Sequence, residues 1–168
     1  MKLATALALA ASLAACDQKS PTVVLTPPLT AAPPEAAPAA AGFVITELKP
    51  PQGELPALLA AEAAKAKAKG LKPFIEVSAT WCGPCQKLKN SLGDPVMTEA
   101  FRGTYIVKLD LDEWETALAK AGYPVKVVPI FFKMGEGGKP TGKSLDGGAW
   151  QDDVPAQMAP PLKRFFNS

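Results

Sequence analysis

Trp81-Cys82-Gly83-Pro84-Cys85 is the stretch that decides this chain. It follows a short apolar run, Pro73 to Ala79, that reads as a strand, and it precedes a segment to about Leu92 that reads as a helix. Two cysteines three residues apart at a strand-to-helix junction form a reversible disulfide. The first cysteine of the pair sits where unpaired backbone N–H groups and the positive end of the helix dipole favour a thiolate. Thiolate is the form that attacks disulfides, so Cys82 is the expected nucleophile. Cys85, one helical turn on and on the same face, is placed to attack the mixed disulfide that Cys82 forms and to release the product. Gly83 lets the chain turn and leaves the approach to Cys82 open, and Pro84 presets a helical φ where no N–H partner is needed.

Other uses of such a pair fit less well. A structural zinc site normally takes four ligands, and the chain has no histidine and one further cysteine, Cys16. Covalent haem attachment requires a histidine after the second cysteine, where Gln86 stands. A permanently closed structural disulfide stays open as an alternative, although so short a ring constrains the unfolded chain little. With 18 basic and 16 acidic residues, the net charge of +2 points to neither nucleic acid nor a polybasic membrane patch. Chemistry must run on thiols and carboxylates, with no cofactor and no metal expected.

The N-terminus reads as a targeting segment. Met1-Lys2 is a positive start, Leu3 to Leu13 is an apolar run too short to span as a settled helix, and Leu13-Ala14-Ala15-Cys16 follows. This resembles a bacterial lipoprotein signal with its lipobox. The resemblance implies cleavage before Cys16, lipidation of that thiol and acylation of the new amine; an ordinary secreted protein cut nearby is the alternative. Two or more acyl chains give stable anchoring. Asp17 looks like an inner-membrane retention signal, with the outer membrane as the other destination. If Cys16 carries lipid, Cys82 and Cys85 are the only thiols left in a compartment where disulfides persist.

Three regions are therefore expected: a signal peptide over 1–15, lipidated Cys16 with a tether over 16–53, and a folded domain over 54–168. The tether is rich in Pro and Ala and has polyproline II character, with a reach on the order of 100 Å if fully extended. Gly42-Phe43-Val44-Ile45 is either its last piece or an edge strand of the domain. Beyond it, Leu55 to Lys69 reads as a helix ended by Gly70, Asp94 caps a helix from Pro95 to Phe101, and Thr104 to Leu111 reads as a strand. Glu113 to Ala121 reads as a helix, Val127 to Met134 and Gly142 to Leu145 as a hairpin, and Asp153 to Phe166 as a helix that Pro160-Pro161 should kink or shorten. About 115 residues suffice for one core without structural disulfides.

Three separated features make residues 55–166 resemble the thioredoxin family. Trp81-Cys82-Gly83-Pro84-Cys85 is identical to that family's active-site motif; Val128-Pro129, before the apolar Ile130-Phe131-Phe132, matches its cis-proline loop; Glu76 and Lys108 match its buried acid and lysine partner. The resemblance implies an α/β fold with a central mixed sheet flanked by helices, and a Glu76 carboxyl that relays a proton to or from Cys85 through water. Glutamate for the more usual aspartate lengthens that side chain by one methylene. It further implies that Val128 exposes its backbone to a substrate peptide beside Cys82. Trp81 either shields the disulfide and touches substrate or packs partly into the core, while Trp114 and Trp150 read as packing residues. Asp94-Pro95-Val96 and the anchored setting resemble the periplasmic domains of membrane thiol:disulfide interchange reductases. The expected activity is thiol:disulfide exchange, toward reduction of protein disulfides in the periplasm, by a monomer fed with electrons by a membrane donor. A dedicated assembly factor serving one client, as in cytochrome c maturation, is the alternative.

Overall fold

Alternating apolar strands and amphipathic helices produce a five-stranded sheet with helices on both faces. The computed structural model describes residues 42–168. In chain order the elements are β1 (Val44–Glu47), α1 (Leu55–Ala68), β2 (Lys72–Ser78), α2 (Gly83–Ser91), α3 (Pro95–Phe101), β3 (Thr104–Asp110), α4 (Leu111–Lys120), β4 (Ile130–Met134), β5 (Pro140–Asp146) and α5 (Pro155–Asn167). The strand order is β1-β3-β2-β4-β5. β1 and β2 run parallel to β3, whereas β4 is antiparallel to β2 and β5 to β4.

The period-2 alternation of the central strands sends successive side chains to opposite faces. Ile75, Val77, Val107, Leu109, Ile130 and Phe132 point to the face covered by α1 and α4, where Leu55, Leu59, Trp114 and Leu118 complete the core. Phe74, Ile106 and Phe131 point the other way, toward Leu88 of α2, Met97 and Phe101 of α3, and Leu162 and Phe166 of α5. Edge-to-face rings hold this second core, with centroids 4.8 Å apart for Phe74 and Phe166 and 5.0 Å for Phe101 and Phe166.

Several sequence expectations are corrected. The domain does not begin at 54: Val44–Glu47 is an edge strand paired in register with Tyr105 to Lys108, so the last part of the expected tether belongs to the sheet. Phe43 packs against Phe101, and Leu48 is buried. Helix α4 starts at Leu111 because the Asp110 side chain accepts from the Asp112 N–H and caps it two residues before Glu113. Val127 to Pro129 lie in a loop, and β4 begins at Ile130. Helix α5 continues through Pro160 and Pro161 without a break. Its buried stripe, Met158, Ala159, Leu162, Phe165 and Phe166, recurs at helical spacing, and that burial outweighs the local hydrogen bonds the prolines remove.

The β4–β5 turn is seated on α1 through one glycine. At Gly138, with φ +71°, an added Cβ would lie 2.5 Å from the Leu59 carbonyl carbon. Only glycine fits so close an approach. The Tyr123 hydroxyl donates to the Gly138 carbonyl at 2.8 Å and fixes the turn from its other side.

Residues 1–15, Cys16 and the tether up to residue 41 lie outside the described residues. Among the described residues, no helix is long and apolar enough to cross a membrane.

Candidate active site

The end of β2 delivers the chain to the cysteine pair. Cys82 is the N-cap of α2 with extended backbone, φ −81° and ψ 108°. Its Sγ accepts from the Cys85 N–H at 3.1 Å, so one of the unpaired N–H groups of the first turn already points at this sulfur. Gln86 N–H donates to the Cys82 carbonyl at 3.1 Å, the first bond of the helix. Cys82 and Cys85 are joined as a disulfide with Cα atoms 5.2 Å apart. Both are 4% exposed, in a small apolar cluster with Ala79, against which Leu111 and Val128 pack. Gly83 opens α2 without a positive φ, and a Cβ there would meet nothing within 4 Å. Its part is therefore open space beside the sulfur, and the tight turn expected of it is not needed.

Val128 and Pro129 come from the loop before β4 and face the pair. The Val128–Pro129 peptide is cis. Cys82 Sγ lies 3.6 Å from the Val128 carbonyl oxygen. In the disulfide that is a contact without a proton; a reduced thiol at the same place can donate to the carbonyl. Gly147 N–H donates to the Pro129 carbonyl at 3.0 Å, which ties this loop to the end of β5.

Trp81 resolves toward the surface, at 65% exposed. Its Nε1 donates to Asp112 Oδ2 at 2.9 Å, so the first turn of α4 holds the indole beside the disulfide. Asp112 is not evident from the sequence, whose pattern places the helix start one residue after it. The cue was Asp110-Leu111-Asp112 at a strand end, a capping pattern with an acid in the first turn. Trp114 and Trp150 are buried, their ring N–H groups donating to the Leu48 carbonyl at 3.1 Å and to Asp153 Oδ1 at 2.9 Å.

Glu76 and Lys108 meet within the sheet. They are register partners on β2 and β3, with Lys108 Nζ 4.0 Å from Glu76 Oε1. Glu76 is buried on the sheet face that α2 covers. Burial pushes its carboxyl above the usual carboxylate range; Lys108 opposes that shift and Glu47 adds to it. Lys108 also lines a polar cavity of about 120 Å³, large enough for water, together with Ser78, Cys85, Lys89 and Asp110 among others. Cys85 thus borders the cavity, and Lys108 links it to Glu76.

A family model described as Thioredoxin matches residues 62–159, more than half of the chain. The chain belongs to the thioredoxin family. Among its relatives, a thioredoxin of Aspergillus fumigatus is 31% identical over 63 residues, 38% of this chain and 57% of the relative. An H-type thioredoxin of Oryza sativa subsp. indica is 34% identical over 80 residues, 46% of this chain and 60% of the relative. The chain thus spans about three fifths of the length of these relatives. A mutant thioredoxin from Halobacterium salinarum NRC-1 superposes with a TM-score of 0.47 at 20% identity, over 76% of this chain and 92% of that one. The thioredoxin fold expected from the sequence is the fold found, a mixed sheet with helices on both sides. Within it, the sheet and α2 gather Trp81, Cys82, Cys85, Val128 and Pro129 at one end, while Lys108 shares a cavity with Cys85 and Glu76 is reached through Lys108. Cys16 is outside the described residues.

Proposed function

We propose that this chain is a thiol:disulfide oxidoreductase that reduces protein disulfides in the periplasm, held at the inner membrane by lipid on Cys16. The single observation that carries the chemistry is the placement of Cys82 Sγ. It sits at the N-terminus of α2, hydrogen-bonded by the Cys85 N–H and beside the Val128 carbonyl, in bonding distance of Cys85. The lipid and the compartment rest on the Leu13-Ala14-Ala15-Cys16 motif alone.

The exchange balances as two displacements. In the dithiol form, the Cys82 thiolate attacks one sulfur of a client disulfide; a Cys82–client bond forms, and the other client sulfur leaves as a thiolate. Cys85 then gives up its proton and attacks Cys82 Sγ. The Cys82–client bond breaks, the second client thiolate departs, and the Cys82–Cys85 disulfide remains, two electrons having passed to the client. Glu76, buried and linked through Lys108 to the cavity beside Cys85, is the group that exchanges a proton with Cys85. Trp81 and the Val128 backbone flank the sulfur and supply the surface on which an extended client segment lies.

Reduction in an oxidising compartment needs electrons from a membrane partner, and a tether keeps that donor at high effective concentration. Gly83-Pro84 between the cysteines, with no histidine nearby, supports a reducing pair, because a thiolate without a neighbouring cation is less stabilised. A glutathione redox titration tests the direction. A potential near that of general disulfide reductants, about −270 mV, supports it, and one near strong oxidants, about −120 mV, overturns it.

A further inference from the structure

The last residue of β3, Asp110, is an acid that the exchange chemistry above does not use. It is the register partner of Ser78, as Lys108 is of Glu76, one step further toward the cysteine pair. Side chains alternate along a strand, so Ser78 and Glu76 share the face of Phe74, and Asp110 and Lys108 share that of Ile106. This is the face that α2 covers. Ser78 and Asp110 accordingly line the same water-sized cavity as Cys85. Asp110 is half-buried, so it also meets bulk water. Its Oδ1 accepts from the Asp112 N–H at 2.9 Å as the cap of α4, which leaves Oδ2 with acceptor capacity. Among the described residues, Glu47 and Asp110 are the carboxylates that border the cavity. Glu47 is committed to Lys49 in an ion pair at 2.8 Å, whereas no ion pair among the described residues includes Asp110.

We propose that Asp110 is the outlet of the proton path, the carboxylate that takes the Cys85 proton through cavity water and releases it to solvent. As Cys85 attacks Cys82 Sγ, its S–H proton passes to water in the cavity and from that water to Asp110 Oδ2. The Cys85–Cys82 bond forms, the Cys82–client bond breaks, and the client sulfur leaves as a thiolate. Asp110 then gives its proton to bulk water and is a carboxylate again. Glu76, reached through Lys108, is the inner group of this path, and Asp110 is the outer one. The inference rests on the reading of Cys85 as the resolving thiol. The charged and titratable groups around Asp110 come from every element packed there. Lys108 stands on its own strand, Glu76 on β2, Glu47 on β1, Cys85 and Lys89 on α2, and Asp112 and Glu113 in the first turn of α4.

Asp110→Asn tests this while keeping the fold, because asparagine caps a helix as well as aspartate does and keeps the bond to the Asp112 N–H. The reduced full chain is mixed with a fluorogenic peptide disulfide in stopped flow. Formation of the mixed disulfide on Cys82 releases the first peptide thiol, and closure of the Cys82–Cys85 bond releases the second. In Asp110→Asn the second release slows roughly tenfold at neutral pH, less than the full worth of a positioned general base because Glu76 and water remain. The first release is not slowed. The gap closes above about pH 8.5, the ordinary thiol value, where Cys85 ionises without help. Asp110→Ser, a second capping residue without a carboxylate, behaves alike. Asp94→Asn, the same exchange at the cap of α3, changes neither step. A second release as fast in Asp110→Asn and Asp110→Ser as in the wild type, or slowed to the same degree at every pH, overturns the proposal. A wild type that never gives the second release refutes Cys85 as the resolving thiol instead, so the two failures are told apart.

Discussion

Lys108 Nζ lies 4.0 Å from Glu76 Oε1, and yet Glu76 stays above the usual carboxylate range because its burial outweighs the lysine. A carboxyl whose folded pKa exceeds its unfolded value binds more protons in the native state. Stability then falls as pH rises, from the unfolded value near 4.5 up through the raised native value. Glu76→Gln removes that slope. Urea unfolding of wild type and variant across this window should give a stability difference that moves in favour of the variant as pH increases. The difference is the quantity to follow, since carboxyls held low in the native state, such as Glu99 beside Arg102, give slopes of the opposite sign in both proteins. Glu76→Gln should also slow release of client from the mixed disulfide without slowing its formation.

The Trp81 indole is held by Asp112 at 2.9 Å, and 65% of the residue is open to solvent. Asp112→Ala frees the ring at a stability cost of about 0.5–1.5 kcal/mol or less, since the bond is exposed. With the ring unfixed, client binding weakens while the sulfur chemistry is untouched. Steady-state kinetics on a peptide disulfide should show a raised KM with kcat nearly constant.

Residues 43–48 belong to the folded domain. Leu48 is 3% exposed, its carbonyl accepts from Trp114, and Phe43 packs on Phe101. Leu48→Ala should cost about 2–5 kcal/mol, the range for truncating a buried leucine. A chain that starts at residue 54 loses β1 altogether, and its midpoint in urea should fall further than that of Leu48→Ala.

Much of this architecture was legible because local signals and tertiary packing agree. Asp94 with Pro95 marked the start of α3 to the residue, as a capping side chain and a preset φ require. The strands around Glu76 and Lys108 were readable from their apolar runs, and the motif of Cys82 and Cys85 marked the strand-to-helix junction. What escaped was set by contacts remote in sequence. Val44–Glu47 is a short strand after a proline-rich stretch, and its pairing with β3, some 60 residues later, is what makes it one. Pro160 and Pro161 announce a break that the buried face of α5 overrides. The contact of Asp112 with Trp81 depends on α4 approaching the motif, and the local pattern Asp110-Leu111-Asp112 marks only the helix start that carries it.

Cys82 attacks and Cys85 resolves, and single-turnover trapping separates the two roles. Reduced Cys85→Ser and Cys82→Ser variants are mixed with a protein disulfide, quenched with acid, and weighed intact. A stable mixed disulfide is expected through Cys82 in Cys85→Ser and none in Cys82→Ser. Offered a mixture of oxidised periplasmic proteins, Cys85→Ser that traps one dominant client would assign the chain to a dedicated assembly role; many clients would assign it to general reduction. Adducts through Cys85 in Cys82→Ser, with none in Cys85→Ser, would contradict these roles.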